Sequence, residues 1–154
     1  MTRFVESSID GAGLHLGIAV ARWNQAITDR LLDGALARCE ELGVSEVTVV
    51  RVAGALELPV AARALVDRGC DAVVAIGAVV KGETDHYEIV VRESAGGITQ
   101  VAVASGIPVT NAILAVHEYE EAVERAGKGE ANKGVEGVDA AVDAANALRE
   151  LRRP

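Results

Sequence analysis

The sequence predicts an α/β protein, and three observations support this fold class. Short apolar runs alternate with helical patterns from end to end of the 154 residues. The runs are continuously apolar, which is typical of parallel strands covered on both faces. Half of the residues are hydrophobic but only 3% are aromatic, which suits a core of small side chains under closely packed helices. Right-handed crossovers then predict a doubly wound, mostly parallel sheet of four strands with helices on both faces, a flavodoxin-like sandwich. The length favours a single domain over residues 1–154.

The first half of the chain predicts three strands and two helices. The apolar run from Leu14 to Ala21 indicates the first strand. Asn24 is expected to cap a helix that continues to Glu41 and stops at Gly43. The other elements of this half are a β-branched strand over 47–52, a helix over 56–68 with Pro59 in its first turn, and a central strand over 72–80.

The second half predicts helices separated by less apolar strands. Asp85 and Glu88 have the spacing of a capping box at a helix start, and Gly96 and Gly97 are expected to end that helix near Ser94. The remaining elements are a strand over 99–104, a further strand over 108–114, and helices over 117–126 and 132–152. Residues 3–7 precede the repeating pattern. They are interpreted as an arm that pairs with a neighbouring subunit's sheet, and a frayed terminus explains them equally well.

Charge and cysteine content argue against several function classes. The net charge of −8 is the opposite of the balance usual for nucleic-acid binding. The longest apolar run is too short to span a bilayer, and the first residues contain no secretory apolar region. Cys39 and Cys70 lie in apolar stretches without CxxC spacing, so we expect core thiols in a reducing cytoplasm, with no disulfide and no metal site. The nucleotide-binding patterns GxxxxGK[ST] and GxGxxG are absent, and no cofactor is predicted.

Ligands of open α/β sheets bind at the carboxyl ends of the strands. Four segments of this chain are expected there: 22–24, 54–57, 81–86 and 111–116. The third is the most informative. Gly82 permits close backbone approach, and the Thr84 hydroxyl with the free N–H groups of the next helix favours a phosphate. His86 lies just inside that helix, where an imidazole can move protons. An ordinary strand-to-helix turn explains this segment equally well.

Other candidates also admit structural interpretations. Trp23 is the only tryptophan, and it offers either a surface on which a heteroaromatic ring stacks or a core anchor. Glu57 begins a helix, where it either accepts hydrogen bonds from substrate hydroxyls or complements the helix dipole. Arg125 and Lys133 flank a glycine-containing turn, and on their own they are typical of surface cations.

These pieces together resemble one family, 6,7-dimethyl-8-ribityllumazine synthase. Five motifs carry the resemblance: RWN at 22–24 (usually RFN), GALELP at 54–59, GAVVKGETDHYEIV at 77–90, IPV at 107–109, and ERAG followed by NKG over 124–134. Each motif is weak alone, but the five in this order and spacing are specific. The resemblance covers about residues 18–152.

The resemblance implies a condensation that needs neither cofactor nor metal. Members of the family join 5-amino-6-ribitylaminouracil to 3,4-dihydroxy-2-butanone 4-phosphate. By the same resemblance His86 moves protons and Arg125, supplied by a neighbouring subunit, pairs with the phosphate. The implied substrate contacts are Trp23 and Asn111 at the pyrimidine, Ala55 and Glu57 at the ribityl chain, Val79, Val80 and Lys81 around the ring, and Glu83 and Thr84 at the phosphate. Asn24, Leu56 and Lys133 lie in the same motifs and complete the set.

Several positions depart from the family pattern. Asp85 adds a negative charge beside the expected phosphate, and Ala115 and Val116 replace two threonines. A divergent member that binds a lumazine or flavin with little catalysis therefore stays open as an alternative. A flavodoxin-like signalling domain is disfavoured because no acidic cluster follows the first strand.

Assembly is a further implication of the resemblance. Family members form homopentamers, which pair as decamers or build icosahedral shells, and riboflavin synthase is a candidate partner. The short turn AGKGEANKG slightly favours the shell, although Ala131 replaces the usual glycine.

Overall fold

A computed structural model describes the backbone of residues 1–154 and every side chain except that of Glu130. Four parallel strands form one sheet: β1 (His15–Ala21), β2 (Glu46–Val52), β3 (Ala72–Val80) and β4 (Val109–Val116), in the order β2-β1-β3-β4. The helices are α1 (Gln25–Glu41), α2 (Leu58–Asp67), α3 (His86–Ser105), α4 (Tyr119–Arg125) and α5 (Lys133–Leu151). The doubly wound α/β fold predicted from the sequence is confirmed.

Helices cover both faces of the sheet. Alternate residues of a strand point to opposite faces, and the buried side chains accordingly separate into two clusters. One cluster joins the sheet to α1, α4 and α5, with Ile18 and Ile76 at its centre. The other joins the sheet to α2 and α3 through Ala19, Val73 and Ala75. The small side chains of the second cluster let α2 and α3 approach the sheet closely, as the low aromatic content predicts.

One predicted element is wrong. Residues 99–104 are not a strand, because α3 continues through Gly96 and Gly97 to Ser105 and ends at Gly106, whose φ is +71°. Val90, Ser94 and Ile98 recur at helical spacing and are buried. A Cβ atom at Gly97 would lie 2.5 Å from Cγ of Pro59, so this glycine serves the contact between α2 and α3. The fourth strand is therefore β4, which begins after Pro108 as expected and extends to Val116.

Two predicted helix caps are also wrong. The side chains of Asn24 and Asp85 make no capping hydrogen bond, although each residue directly precedes its helix. A capping box is present instead at the start of α4, between Glu118 and Glu121. Asn132 caps α5, since its Oδ1 accepts hydrogen bonds from the backbone N–H groups of the second and third residues of that helix. Sequence position alone therefore located these helix starts but not the caps.

Residues before β1 form no regular element. The Asn146 amide of α5 donates to the carbonyl oxygens of Ser8 and Asp10, both at 2.8 Å, and the Ser7 hydroxyl donates to Asp143. Phe4 lies beyond these contacts and is 84% exposed. Pairing of this arm with a neighbouring subunit stays a prediction. Among the described helices, none has the length and apolar composition needed to span a membrane.

Candidate active site

The site is positioned by the point at which the strand order reverses. The chain passes from β1 to β2 on one side and then to β3 on the other, so a crevice opens between the carboxyl ends of β1 and β3. The β1–β3 pairing ends at Val20 and Ile76, whereas β3 continues to Val80. Segments 22–24 and 79–86 follow the two strands that flank this crevice, and segment 54–57 follows the neighbouring β2.

Trp23 presents a flat aromatic surface at this crevice. Its side chain is 64% exposed, which excludes the core-anchor interpretation. The backbone N–H donates to the Ala53 carbonyl at 3.0 Å, and a Cβ atom at Gly54 would lie 2.6 Å from Cε3 of the indole. The ring therefore lies directly against the backbone of the segment after β2, and only a glycine at position 54 leaves room for it.

Asn24 has an unusual backbone and an unexpected partner. Its φ is 60°, in the left-handed region, which allows the chain to turn sharply from β1 into α1. The side-chain Nδ2 donates to the carbonyl oxygen of Ala78 in β3 at 2.8 Å. This residue therefore connects the two strands on either side of the crevice.

Segment 54–57 forms a single 3-10 turn over Ala55–Glu57 that leads into α2. Ala55 is buried, Leu56 is 43% exposed, and Glu57 is half-buried. The Glu57 side chain makes no capping hydrogen bond to α2. Its carboxylate is therefore available as an acceptor for polar groups of a ligand.

The end of β3 leads directly into α3. Val79 and Val80 are half-buried and Lys81 is exposed, with its N–H donating to the Val116 carbonyl at 2.9 Å. Glu83, Thr84 and His86 are exposed around the first turn of α3, where the Thr84 hydroxyl accepts from the His86 N–H at 3.4 Å. A helix of 20 residues begins here, so its dipole and free N–H groups favour an anion.

Three predicted residues lie elsewhere, along the outer edge of β4. Arg125 and Lys133 line a cleft of about 370 Å³ beside residues 113–116, which we call the β4-edge cleft. His86 is not among its lining residues. The Arg125 guanidinium donates a hydrogen bond to the Glu121 carbonyl at 2.9 Å. Asn111 is exposed on β4, but it lies opposite Ala75 of β3, well before the carboxyl end of β4. Its expected place at the end of the last strand is therefore wrong, and the cleft that holds Arg125 and Lys133 is lined by neither Trp23 nor His86.

The structure also brings in residues that the sequence did not single out. Glu136 lines the β4-edge cleft and pairs with Lys133 at 2.8 Å. Their i,i+3 spacing on a helix was the available signal. His117 follows β4, and its ring lies 6.0 Å from that of Tyr87 in an edge-on arrangement at 79°. That contact supports the first turn of α3, on which His86 is located.

Both cysteines are buried core thiols, as predicted. Burial raises the pKa of the Cys39 thiol to about 11, and burial is also the main cause of the raised pKa of Cys70. His15 lies beside Cys70 but its Nε2 is engaged by the Thr48 hydroxyl at 2.8 Å. Among the described side chains, no group of three or more potential ligands is arranged to hold a metal ion.

Comparison with known proteins gives one consistent result. A family model described as 6,7-dimethyl-8-ribityllumazine synthase matches residues 13–149. The chain is 44% identical to the protein of that name from Thermobifida fusca, over 96% of this chain and 87% of that protein. The identity is 42% for the Thermococcus kodakarensis protein, over 97% and 96% respectively. For the Saccharopolyspora erythraea protein it is 46%, over 96% and 90%.

Proposed function

The chain belongs to the 6,7-dimethyl-8-ribityllumazine synthase family, and we propose that it is a transferase of riboflavin biosynthesis that forms 6,7-dimethyl-8-ribityllumazine in the penultimate step. The substrates are 5-amino-6-ribitylaminouracil and 3,4-dihydroxy-2-butanone 4-phosphate. The observation that carries the proposal is the crevice between β1 and β3. Three of the segments expected from the sequence meet around it, with an exposed indole, a free carboxylate and a histidine at a helix N-terminus.

The proposed reaction needs positioning and proton transfer. The uracil amine attacks the ketone carbon, and water leaves to give an imine. Phosphate is then eliminated, and the ring closes with loss of a second water. His86 can donate a proton to the departing hydroxyl and accept one during elimination, because an imidazole exchanges protons near neutral pH. Holding two reactants together can supply most of the acceleration of such a condensation.

Each part of the crevice suits one part of the substrates. The exposed Trp23 indole supports stacking of the pyrimidine ring. Val79, Val80 and Lys81 extend the β3 edge beside that ring, and the segment after β2 offers Ala55, Leu56 and Glu57 to the ribityl chain. The start of α3, with Glu83 and Thr84, suits the phosphate. Lys81 is the one cation among these residues, and this assignment places it beside the ring.

We infer that a neighbouring subunit completes the site with Asn111, Arg125 and Lys133. Arg125 and Lys133 are two cations in a cleft beside the end of β4 that His86 does not line, and Asn111 is exposed on the same strand. A head-to-tail contact that presents one subunit's β4 edge to the next subunit's crevice forms a ring when its rotation closes. This arrangement fits the homopentamer that the family resemblance implies, and light scattering distinguishes pentamer, decamer and icosahedral shell.

We also propose a cytoplasmic location, consistent with two free thiols, and riboflavin synthase as a partner.

The decisive experiment is to mix the two purified substrates with the protein and follow the absorbance of the lumazine product. We expect a rate well above that of a buffer control. A protein that binds the product but gives no rate above buffer would overturn the enzymatic proposal and favour a binding function.

Shared sites can be tested by complementation. His86→Ala and Arg125→Ala subunits are unfolded together, refolded as a mixture and assayed beside each parent. Random mixing leaves roughly a quarter of the interfaces with an intact His86 facing an intact Arg125, so activity rises above both parents. The control mixture pairs His86→Ala with Arg153→Ala, whose arginine is paired with Glu150. Because Arg153→Ala subunits keep both His86 and Arg125, the activity of this mixture should lie between those of its parents and not above both. No rise for the first mixture would place the whole site in one chain.

A further inference from the structure

Asn24 combines two features at the centre of the crevice. Among the described residues it is the only non-glycine residue with a positive φ. Non-glycine residues in the left-handed region are uncommon, and asparagine tolerates that region better than most. Such residues cluster at functional sites, where surrounding contacts hold them in place. The contact that holds Asn24 is the hydrogen bond from its side chain to Ala78.

The Asn24 side chain connects two strands beyond the point where their own pairing ends. The last β1–β3 pair is Val20 with Ile76, and the Asn24 amide donates to the Ala78 carbonyl two residues further along β3, at 2.8 Å. An asparagine preceding a helix ordinarily accepts a hydrogen bond from the helix's first turn, but here no such bond is present. The amide therefore fixes the separation of β1 and β3 at the crevice.

Trp23 directly precedes Asn24 in sequence, and it contacts the segment that follows β2. Its N–H donates to the Ala53 carbonyl, and its indole lies against Gly54. Contacts toward β2 thus fix one side of the tryptophan, and the Asn24 bond to β3 fixes the residue that follows it. These contacts hold the chain on both sides of the exposed indole.

We propose that Asn24 is a positioning residue that orients Trp23 and sets the width of the crevice through its bond to Ala78, and that it does not itself contact substrate. This inference rests on the proposed function for its kinetic consequences only. It differs from the direct substrate contact that the family motif implies for this residue. The difference can be measured without any ligand.

The test compares Asn24→Gly and Asn24→Asp with the unchanged chain. Glycine adopts a φ of 60° freely, so the first variant removes only the amide. Aspartate tolerates the same backbone but turns a carboxylate oxygen toward the Ala78 carbonyl, so it reverses the contact from attraction to repulsion. Because Trp23 is the only tryptophan, its fluorescence and its quenching by acrylamide report the indole directly.

We expect both variants to change the quenching of the ligand-free protein. The KM for the ribityl pyrimidine should rise about tenfold, the effect of one lost positioning hydrogen bond. The KM for the sugar phosphate should stay within about twofold, since its proposed subsite lies at α3. Gly54→Ala displaces the indole from the opposite side and should reproduce both changes while Asn24 is intact.

An unchanged indole signal in Asn24→Gly would overturn the proposal, whatever happens to the KM. A raised pyrimidine KM with that unchanged signal would identify Asn24 as a direct substrate contact. Equal rises in both KM values would indicate general disruption of the site and would also contradict it. Absence of product from the unchanged chain is a separate result that overturns the proposed function, because the ligand-free fluorescence comparison does not depend on catalysis.

Discussion

The side chain of Asn132 joins the start of α5 to α1, and its removal should be costly. The side chain is 3% exposed and makes four hydrogen bonds. It accepts from the N–H groups of Gly134 at 2.8 Å and Val135 at 3.3 Å, and it donates to the carbonyls of Arg30 at 3.1 Å and Gly127 at 3.0 Å. Loss of the helix cap costs about 1 kcal/mol, and loss of the two bonds donated to the Arg30 and Gly127 carbonyls costs about 1 kcal/mol each. Asn132→Ala should therefore lower the free energy of unfolding by about 3 kcal/mol.

Gly34 of α1 provides the space that this amide occupies. A Cβ atom at Gly34 would lie 2.6 Å from Cγ, Oδ1 and Nδ2 of Asn132. Gly34→Ala alone should thus destabilise the protein by about 1–3 kcal/mol through overpacking. Once Asn132 is alanine the overlap disappears, and the better helix propensity of alanine should stabilise α1 by about 0.5–1 kcal/mol. The effect of the same substitution therefore changes sign.

The assay is equilibrium urea unfolding of the four proteins of this double-mutant cycle at one protein concentration, followed by tryptophan fluorescence. Gly96→Ala is the matched control, because Gly96 also lies inside a helix but a Cβ atom there would meet no neighbouring element within 4 Å. The control substitution should have the same effect in both backgrounds. Additive effects of Gly34→Ala and Asn132→Ala, with no change of sign, would show that the amide and the glycine are not coupled.

Three further predictions concern the site, a thiol and a helix contact. His86→Ala should lower the rate of lumazine formation by about 10- to 100-fold without abolishing it, because proton transfer supplies only part of the acceleration; unaffected rates in the absorbance assay would exclude His86 from the chemistry. The Cys39 pKa is raised from 9.0 to about 11 by burial, so the unfolded chain ionises first as pH rises. Stability that is fully present below pH 9 is then lost toward pH 11, and urea unfolding should show a loss of up to about 3 kcal/mol that Cys39→Ala does not share. Gly97→Val should reduce the urea midpoint, by about 1–3 kcal/mol in unfolding free energy, because its side chain meets Pro59; an unchanged midpoint would show that α2 and α3 can separate freely.

The strands could be predicted within about two residues because buried parallel strands are continuously apolar. The same signal failed at 99–104, where β-branched residues follow two glycines and the pattern resembles a strand after a break. What decides the conformation there is the close approach of Gly97 to Pro59 and the burial of Ile98 against the sheet. Both contacts join residues that are distant in sequence, and no local pattern contains them.

The positions of site residues could be predicted where strand order determines them. The roles of side chains could not be predicted where they depend on contacts with residues distant in sequence. Segments that follow parallel strands must gather at one edge of the sheet, so the positions of Trp23 and His86 followed from strand order. The role of the Asn24 side chain did not, because a helix start offers it a local partner while the structure provides a distant one, Ala78. Asn111 and Arg125 were placed at the site only through the family resemblance, because Asn111 lies early in β4 and Arg125 lines a cleft that does not include His86.

The NKG motif illustrates why a family pattern is only partly a pattern of chemistry. Of its three residues, Lys133 alone places a charge in the β4-edge cleft, where Glu136 holds it. Asn132 caps α5, and a methyl group at Gly134 would overlap the Leu31 carbonyl, so both residues serve the contact between α5 and α1. Because Lys133 begins α5, its position follows from the contacts that its two neighbours make. Substitutions of Lys133 should therefore affect the reaction with little effect on stability, whereas substitutions of either neighbour affect stability first and the reaction through the displaced lysine.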